Sequence, residues 1–370
     1  MNNTYVFAAI SLDRMAGGLE RNIVRIANYL SQRGHDVHLI TFDWNTATSF
    51  YEIDNSVTWH KVANSPPHAP IGFRNRIQLI LNIRKIFKDI GPAALVCFHH
   101  GILFRFMAAA MFQNIKVISS ERNSLTLYDH VRLSKWNLNF LLMFLVDRIT
   151  VQFPSYKRDY PKRLQRKIVA IPNAVLLESE HARPSAPNEK ERFQLLSTGR
   201  LCAQKNYEAL LRAFANLSPK FEDWDLAIVG DGEKRVQLET LKDELGLGDR
   251  VVFPGAVSDV SSWYVGANLF CLPSLWEGFP NALSEALAHG LPCVGYGECA
   301  GVRDLIIDGE NGLLADGNAD VRTLETCLSA LMEDAARRHD MGRAAVAGMR
   351  KYHPDHVLPM WEDMLSQLDD

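Results

Sequence analysis

None of the six cysteines (Cys97, Cys202, Cys271, Cys293, Cys299, Cys327) stands in a CxxC or at a metal-ligand spacing. Zinc-ribbon and dithiol redox chemistry are thereby disfavoured, and buried reduced thiols are expected. No GxGxxG follows the first apolar strand pattern, which argues against a nicotinamide oxidoreductase. Long apolar runs are missing too: the densest, residues 140–146, falls far short of the roughly 20 residues a spanning helix needs. The apolar stretch 5–10 is too short for a signal sequence, so a cytoplasmic protein is expected. Acid pairs that could hold a metal are scarce. Asp223-Trp224-Asp225 matches a DxD pattern but precedes a strand instead of following one, where ligand sites lie. His353 and His356 lack a Cys or acid at ligand spacing. Neither a metal nor a cofactor is expected.

What is present is a chain of 370 residues, too long for one ordinary core. With 47% hydrophobic and 22% charged residues it has the composition of a soluble globular protein. Charge is divided unevenly. Residues 1–175 hold 22 Lys and Arg against 11 Asp and Glu, whereas the remainder holds 18 against 32. The basic half is expected to face an anionic partner.

Apolar strands alternate with helical patterns throughout, which predicts parallel sheets covered by helices. In the first half, strands are expected at 5–10, 37–42, Ala94–Phe98, 117–120, Arg148–Val151 and 167–171. Residues 175–192 carry Pro184 and Pro187 amid charges and read as a linker. A second series places strands at Phe193–Thr198, 225–229, 250–253, 268–273 and Cys293–Tyr296. Residues 353–368 put Val357, Met360, Trp361, Met364, Leu365 and Leu368 on one helical face, which must dock. The expected α/β architecture is two Rossmann-like, doubly wound domains facing across a cleft. They cover 1–175 and 176–352, with helix 353–370 returning to the first.

Residues 272–291 (LPSLWEGFPNALSEALAHGL) place Glu277 and Glu285 eight positions apart, over a strand end, a turn and a helix start. Gly278 and Pro280 make the turn, with Phe279 between them, and Asn281 is the expected cap of a helix over 282–289. Amides at such a helix start accept phosphate, while carboxylates accept hydrogen bonds from vicinal hydroxyls. Together they suit a nucleotide sugar. In STGRLCAQKN, Arg200 and Lys205 follow a buried strand and Gly199, where two cations could neutralise a departing diphosphate. Gly17 and Gly18, in the loop 13–18 after the first strand, would let backbone approach a diphosphate closely.

His99 and His100 end an apolar strand and could orient an acceptor or a sugar hydroxyl. Glu121, Arg122 and Asn123 follow another strand in the same way, as acceptor-side candidates, although a buried ion pair would explain two of them. Lys157, Arg158, Lys162, Arg163, Arg166 and Lys167 cluster. Arg74, Arg76, Arg84, Lys85 and Lys88 surround an apolar helix pattern at 73–90, which could rest on an anionic membrane surface or simply pack in a core. Nucleic acid is not an expected partner, because the basic patch lacks interleaved aromatics.

Several segments together resemble glycosyltransferase family 4, whose members have the GT-B fold. They are Gly17-Gly18-Leu19-Glu20-Arg21, GRLCAQKN at 199–206, VGDGEKR at 229–235, DRVVFPGAV at 249–257, LPSLWEGFPNALSEALAHGLP at 272–292 and DGENGLL at 308–314. The resemblance implies a retaining, metal-independent transfer of a hexose or N-acetylhexosamine from a nucleoside diphosphate sugar, with UDP as carrier. Arg200 and Lys205 would bind the diphosphate, Glu277 the donor sugar hydroxyls, and Glu285 the ribose diol. Gly17, Gly18 and the amides of Asn281, Ala282 and Leu283 would surround phosphate and sugar, with Pro254 and Val257 near the base. Many members carry a histidine after the strand corresponding to 117–120; this chain has Glu121-Arg122-Asn123, leaving His99 or His100 for that part. A similar Glu-Arg-Asn occurs in members that build bacterial lipid-linked oligosaccharides and surface polysaccharides. That implies a glycan or polyprenyl-diphosphate-linked acceptor, met at the inner face of the cytoplasmic membrane. Rival expectations are a non-catalytic sugar-nucleotide-binding protein and a GT-B epimerase or phosphorylase.

Overall fold

The structure, a computed structural model, describes residues 3–15, 17–63, 72–125, 137–317 and 319–368. Ala16 of the loop 13–18 lies outside them. The chain forms two compact units, residues 1–174 with 355–370, and Val175–Pro354.

In the first unit seven parallel strands run in the order β3-β2-β1-β4-β5-β6-β7. They are β1 (Thr4–Ala9), β2 (Asp36–Thr41), β3 (Val57–Lys61), β4 (Ala94–Phe98), β5 (Lys116–Ser120), β6 (Arg148–Val151) and β7 (Ile168–Ala170). Helices α1 (Gly18–Gln32), α2 (Phe73–Ile90), α3 (Leu103–Ala110), α4 (Leu138–Leu142) and α5 (Lys162–Gln165) belong to it. Central strands covered on both faces should be apolar throughout, and every residue of β4 is buried. β3 was not predicted: it is an edge strand with only Val57 buried, so VTWHK lacks the apolar run that marked its neighbours.

The second unit has six parallel strands in the order β10-β9-β8-β11-β12-β13. They are β8 (Phe193–Thr198), β9 (Trp224–Val229), β10 (Val251–Gly255), β11 (Leu269–Leu272), β12 (Cys293–Tyr296) and β13 (Gly312–Ala315). Its helices are α6 (Tyr207–Leu217), α7 (Arg235–Glu244), α8 (Ser261–Val265), α9 (Asn281–Ala288), α10 (Ala300–Leu305), α11 (Val321–Glu333) and α12 (Ala335–Met349). β13, a four-residue edge strand, was also unpredicted. The expected linker is tied down: buried Arg338 donates to the Pro184 carbonyl at 2.7 Å and stacks its guanidinium over Phe193 and Trp224. Asp225 of the DxD pattern is held by Arg192 at 2.5 Å, an ion pair on the strand.

Helix α13 (Pro354–Ser366) returns to the first unit. Val357, Leu358, Trp361, Met364, Leu365 and Leu368 are buried in one core with Tyr5, Phe7, Ile23, Ala27 and Phe98. Glu362 fastens its polar side, 3.3 Å from His35 Nε2 and 3.2 Å from the Tyr29 hydroxyl.

In each sheet the strand order reverses once, between β1 and β4 and between β8 and β11. Loops leaving the carboxyl ends of those strands flank a switch point, where open α/β sheets bind ligands.

Candidate active site

The switch point of the second unit is built from the loops after β8 and β11. A tight turn at Ala203–Lys205 follows Gly199, and Asn206 enters α6 with left-handed φ 52°. The Leu275 amide donates to the Gln204 carbonyl at 2.9 Å, and Gln204 Nε2 donates to the Trp276 carbonyl at 2.7 Å. This clasp brings Lys205 Nζ to 2.7 Å from Glu277 Oε1, with 15% and 8% of the side chains exposed. The buried Cys299 thiol is pushed up by burial and by the Glu277 charge. Arg200, in contrast, is exposed and makes no hydrogen bond or ion pair among the described residues.

Glycines set how closely these loops pack. Gly199 has φ 146°, and a Cβ there would lie 3.0 Å from the Tyr207 hydroxyl and 3.2 Å from Lys205 Cε. Gly230, at φ 142°, would collide with the Gly199 carbonyl if it carried a Cβ. Both conformations disfavour L side chains, so the backbone itself requires glycine. Gly301, opening α10, packs against the Gly278 carbonyl in the same way and fixes the turn 278–280.

Helix α9 begins one residue earlier than expected. Pro280 occupies the cap position in extended conformation, and no side chain caps the helix. Asn281 is already helical and therefore cannot act as the predicted cap. The first intrahelical bond runs from the Ser284 amide to the Pro280 carbonyl at 3.0 Å, so Ala282 and Leu283 lie in the first turn with Asn281. Gly278 and Phe279 stand between Glu277 and this helix start, and Phe279 packs its ring edge-on against Tyr352 at 5.7 Å. Glu285, one turn on, lies 3.1 Å from the Tyr264 hydroxyl. Pro254, exposed on edge strand β10, and half-buried Val257 just after it stand on the opposite flank from α9. The Phe253 carbonyl beside Pro254 accepts from Arg235 at 2.9 Å. A hollow of about 680 Å³ lies along β10 beside Asp249, Val252, Pro254 and Trp263, and neither Lys205 nor Glu277 lines it.

In the first unit, Gly17 precedes α1 and Gly18 begins it. A Cβ on Gly17 would collide with the Glu20 carboxylate, which folds back over the helix start and whose pKa burial raises. After β4, His99 adopts φ 84°, a strained conformation for a non-glycine residue. Its ring stacks on His100 at 4.5 Å. His100 Nδ1 lies 2.6 Å from Glu121 Oε2, and the Ser119 hydroxyl donates to Glu121 Oε1 at 2.8 Å. Burial opposes charge on both groups. Their mutual attraction outweighs it, raising the His100 pKa and lowering that of Glu121. His99 lacks such a contact, and burial lowers its pKa. The ion pair of this loop thus joins Glu121 to His100, not to Arg122. Arg122 stacks over Phe98 at 4.7 Å and donates to Asn173 Oδ1 at 3.1 Å, with burial pulling its pKa down. Asn123 is half-buried beside it.

Sequence reasoning missed Gln204, Gly230, Thr198 and Tyr264. Gly230, Gln204 and Thr198 stood within quoted segments without being singled out; Tyr264 announced itself only through tertiary contacts. Among the described residues no group of three His, Cys, Asp or Glu side chains is placed to hold a metal. No helix among them is long and apolar enough to cross a membrane.

Two family models match consecutive parts of the chain: Glycosyltransferase Family 4 over residues 16–179 and Glycosyl transferases group 1 over 178–347. The chain belongs to glycosyltransferase family 4. It is similar to an uncharacterized glycosyltransferase of Haemophilus influenzae, 27% identical over 95% of this chain and 96% of the relative. It is also similar to a Campylobacter jejuni GalNAc-alpha-(1->4)-GalNAc-alpha-(1->3)-diNAcBac-PP-undecaprenol alpha-1,4-N-acetyl-D-galactosaminyltransferase, 25% identical over 100% and 99% of the two chains. Anabaena HepE, solved in complex with UDP and glucose, superposes with a TM-score of 0.78 at 16% identity, covering 99% of this chain and 100% of HepE. That likeness establishes the GT-B fold, and with the family it defines an enzyme that moves sugar from a nucleoside diphosphate sugar to an acceptor.

Proposed function

We propose that this transferase retains anomeric configuration, works without a metal, and moves a hexose or N-acetylhexosamine from a UDP-sugar. The observation that carries the reading is Lys205 held 2.7 Å from Glu277 at the switch point, with a helix start immediately after. A fixed cation and first-turn amides can stabilise negative charge growing on a diphosphate as the anomeric bond lengthens. Arg200, exposed at the loop entrance, adds a second cation for the same diphosphate. The acceptor hydroxyl then attacks from the leaving group's side, and the leaving phosphate oxygen takes its proton. Glu277 receives donor sugar hydroxyls and Glu285 the ribose diol; both position substrate. Gly17 and Gly18 allow backbone approach to the phosphates, and Pro254 and Val257 border the base.

The first unit is assigned to the acceptor, with Glu121, Arg122 and Asn123 beside it and His99 or His100 orienting a hydroxyl. A glycan on a polyprenyl diphosphate is the proposed acceptor, in polysaccharide or oligosaccharide assembly. The lipid-linked substrate in the name of the Campylobacter relative supports this. So does the surface of α2, where Phe73, Ile77 and Leu81 are exposed at one-turn spacing among Arg74, Arg76, Lys85 and Lys88. Apolar side chains ringed by cations suit the inner, anionic face of the cytoplasmic membrane.

A thermal-shift panel of nucleoside diphosphate sugars tests the donor assignment, since selective binding raises Tm by mass action. The stabilising sugar, radiolabelled, should then appear in lipid extract. Binding without transfer would instead mark a sugar-nucleotide-binding protein.

A further inference from the structure

Glu285 is gripped from behind. Tyr264, on α8, is fully buried and lays its hydroxyl 3.1 Å from Glu285 Oε2 and 3.2 Å from the Ala282 carbonyl. The same hydroxyl lies 2.8 Å from Thr198 Oγ1, at the end of β8. A phenol has one proton to give. Carboxylate and carbonyl only accept, so the proton goes to their side and Thr198 donates to the phenol oxygen. The direction of the chain follows: Thr198 to Tyr264 to Glu285.

The ring is fixed as firmly as the hydroxyl. His289 stacks on Tyr264 at 4.9 Å, with Nδ1 2.8 Å from the Glu285 carbonyl and Nε2 2.8 Å from the Ser261 hydroxyl. The carbonyl requires a proton on Nδ1, and Nε2 shares a second hydrogen bond with the Ser261 hydroxyl. Imidazole and phenol thus brace the backbone and the carboxylate of the same glutamate. A glutamate on a helix surface otherwise samples several rotamers, and a hydrogen bond to a charged group is strong enough to select one.

We propose that Tyr264 is a positioning residue for donor recognition: its phenol sets the Glu285 carboxylate to receive the 2′- and 3′-hydroxyls of the nucleotide ribose. Discrimination between ribose and deoxyribose therefore depends on a side chain that does not touch the sugar. This rests on the reading of Glu285 as the diol acceptor, and the test separates the two.

Calorimetric titration compares UDP, GDP, ADP and CDP with their 2′-deoxy counterparts, on wild type, Tyr264→Phe, Glu285→Ala and the double variant. Tyr264→Phe keeps the ring and its stack, so its Tm should stay close to wild type. It should weaken the preferred ribonucleotide about fivefold and leave its deoxy counterpart nearly unchanged, narrowing the ratio. In the Glu285→Ala background the same change should add nothing. Turnover at saturating donor should stay within about twofold of wild type, so the loss falls on KM. Equal weakening of both nucleotides, or of neither, overturns the proposal. If Glu285→Ala narrows the ratio and Tyr264→Phe does not, Glu285 keeps its role and Tyr264 loses it. A wild-type ratio in Glu285→Ala overturns both. Should Tyr264→Phe fail to fold, Thr198→Val, which removes the donor behind the phenol, should narrow the ratio by a smaller factor; no narrowing there overturns the proposal.

Discussion

Lys205 Nζ stands 2.7 Å from Glu277 Oε1, although the two residues leave different strands of the sheet; the Gln204 clasp ties their loops together. The pair keeps a cation and a carboxylate poised in a largely dry setting. On the proposed reading, a diphosphate arriving there would share the cation and so free carboxylate lone pairs for sugar hydroxyls. Lys205→Ala should therefore lower turnover about 100-fold or more. It should also leave Glu277 as an unpaired carboxylate of 8% exposure, costing about 3 kcal/mol of stability. Lys205→Met with Glu277→Gln should recover most of the stability and none of the activity. Urea titration and initial rates check both; near-normal turnover in Lys205→Ala would reject the role.

Gly230→Ala probes the packing behind the pair. Its Cβ would strike the Gly199 carbonyl, and φ 142° is hostile to alanine. The loops must separate, so stability should fall by about 3 kcal/mol and donor affinity with it. Gly246→Ala is the control, since its φ is also positive but a Cβ there meets nothing within 4 Å. It should cost only the backbone strain, about 1 kcal/mol.

The His100–Glu121 contact predicts a pH signature. His100 is raised from its ordinary 6.5, so its stabilisation is complete below that value and is lost as pH climbs through the folded pKa. Glu121 is lowered from 4.5, so its share is present above that value and is lost as pH falls through its folded pKa. The pair contributes most between those ordinary values. Subtracting the unfolding free energies of Glu121→Gln from those of wild type should give a curve that peaks there and declines towards alkaline pH. A flat difference would remove the ion pair from the account.

Sequence pattern located the doubly wound strands because parallel strands buried on both faces leave unbroken apolar runs, as β4 and β11 do. It failed at the edge strands β3 and β13, whose sequences VTWHK and GLLA carry no apolar run long enough to stand out. Among the candidate site residues, spacing singled out Lys205, Glu277 and Glu285, because carboxylates and cations after buried strands are conspicuous. It could not pair Glu121 with His100, twenty-one positions apart, since the alignment of β4 beside β5 decides that contact. Asn281 was misplaced as a cap because the preceding proline already satisfies the geometry of helix entry.

The exposed face of α2 should matter only where a membrane is offered. Changing Phe73, Ile77 and Leu81 together to Ser should lower binding to vesicles containing anionic lipid about tenfold or more. Turnover on a water-soluble acceptor should not change. Sedimentation with vesicles of graded phosphatidylglycerol content checks this, and unchanged binding would assign the stripe to another role.

On the proposed reading, fixed cations and helix-start amides hold the donor diphosphate unaided by a metal. A crystal structure with UDP, grown from enzyme kept in EDTA, tests it most directly. A β-phosphate oxygen should lie within hydrogen-bond distance of Lys205 Nζ and of the amides of Ala282 and Leu283, with Glu285 on the ribose. Phosphates lying elsewhere, or binding only once a divalent cation is restored, would contradict it.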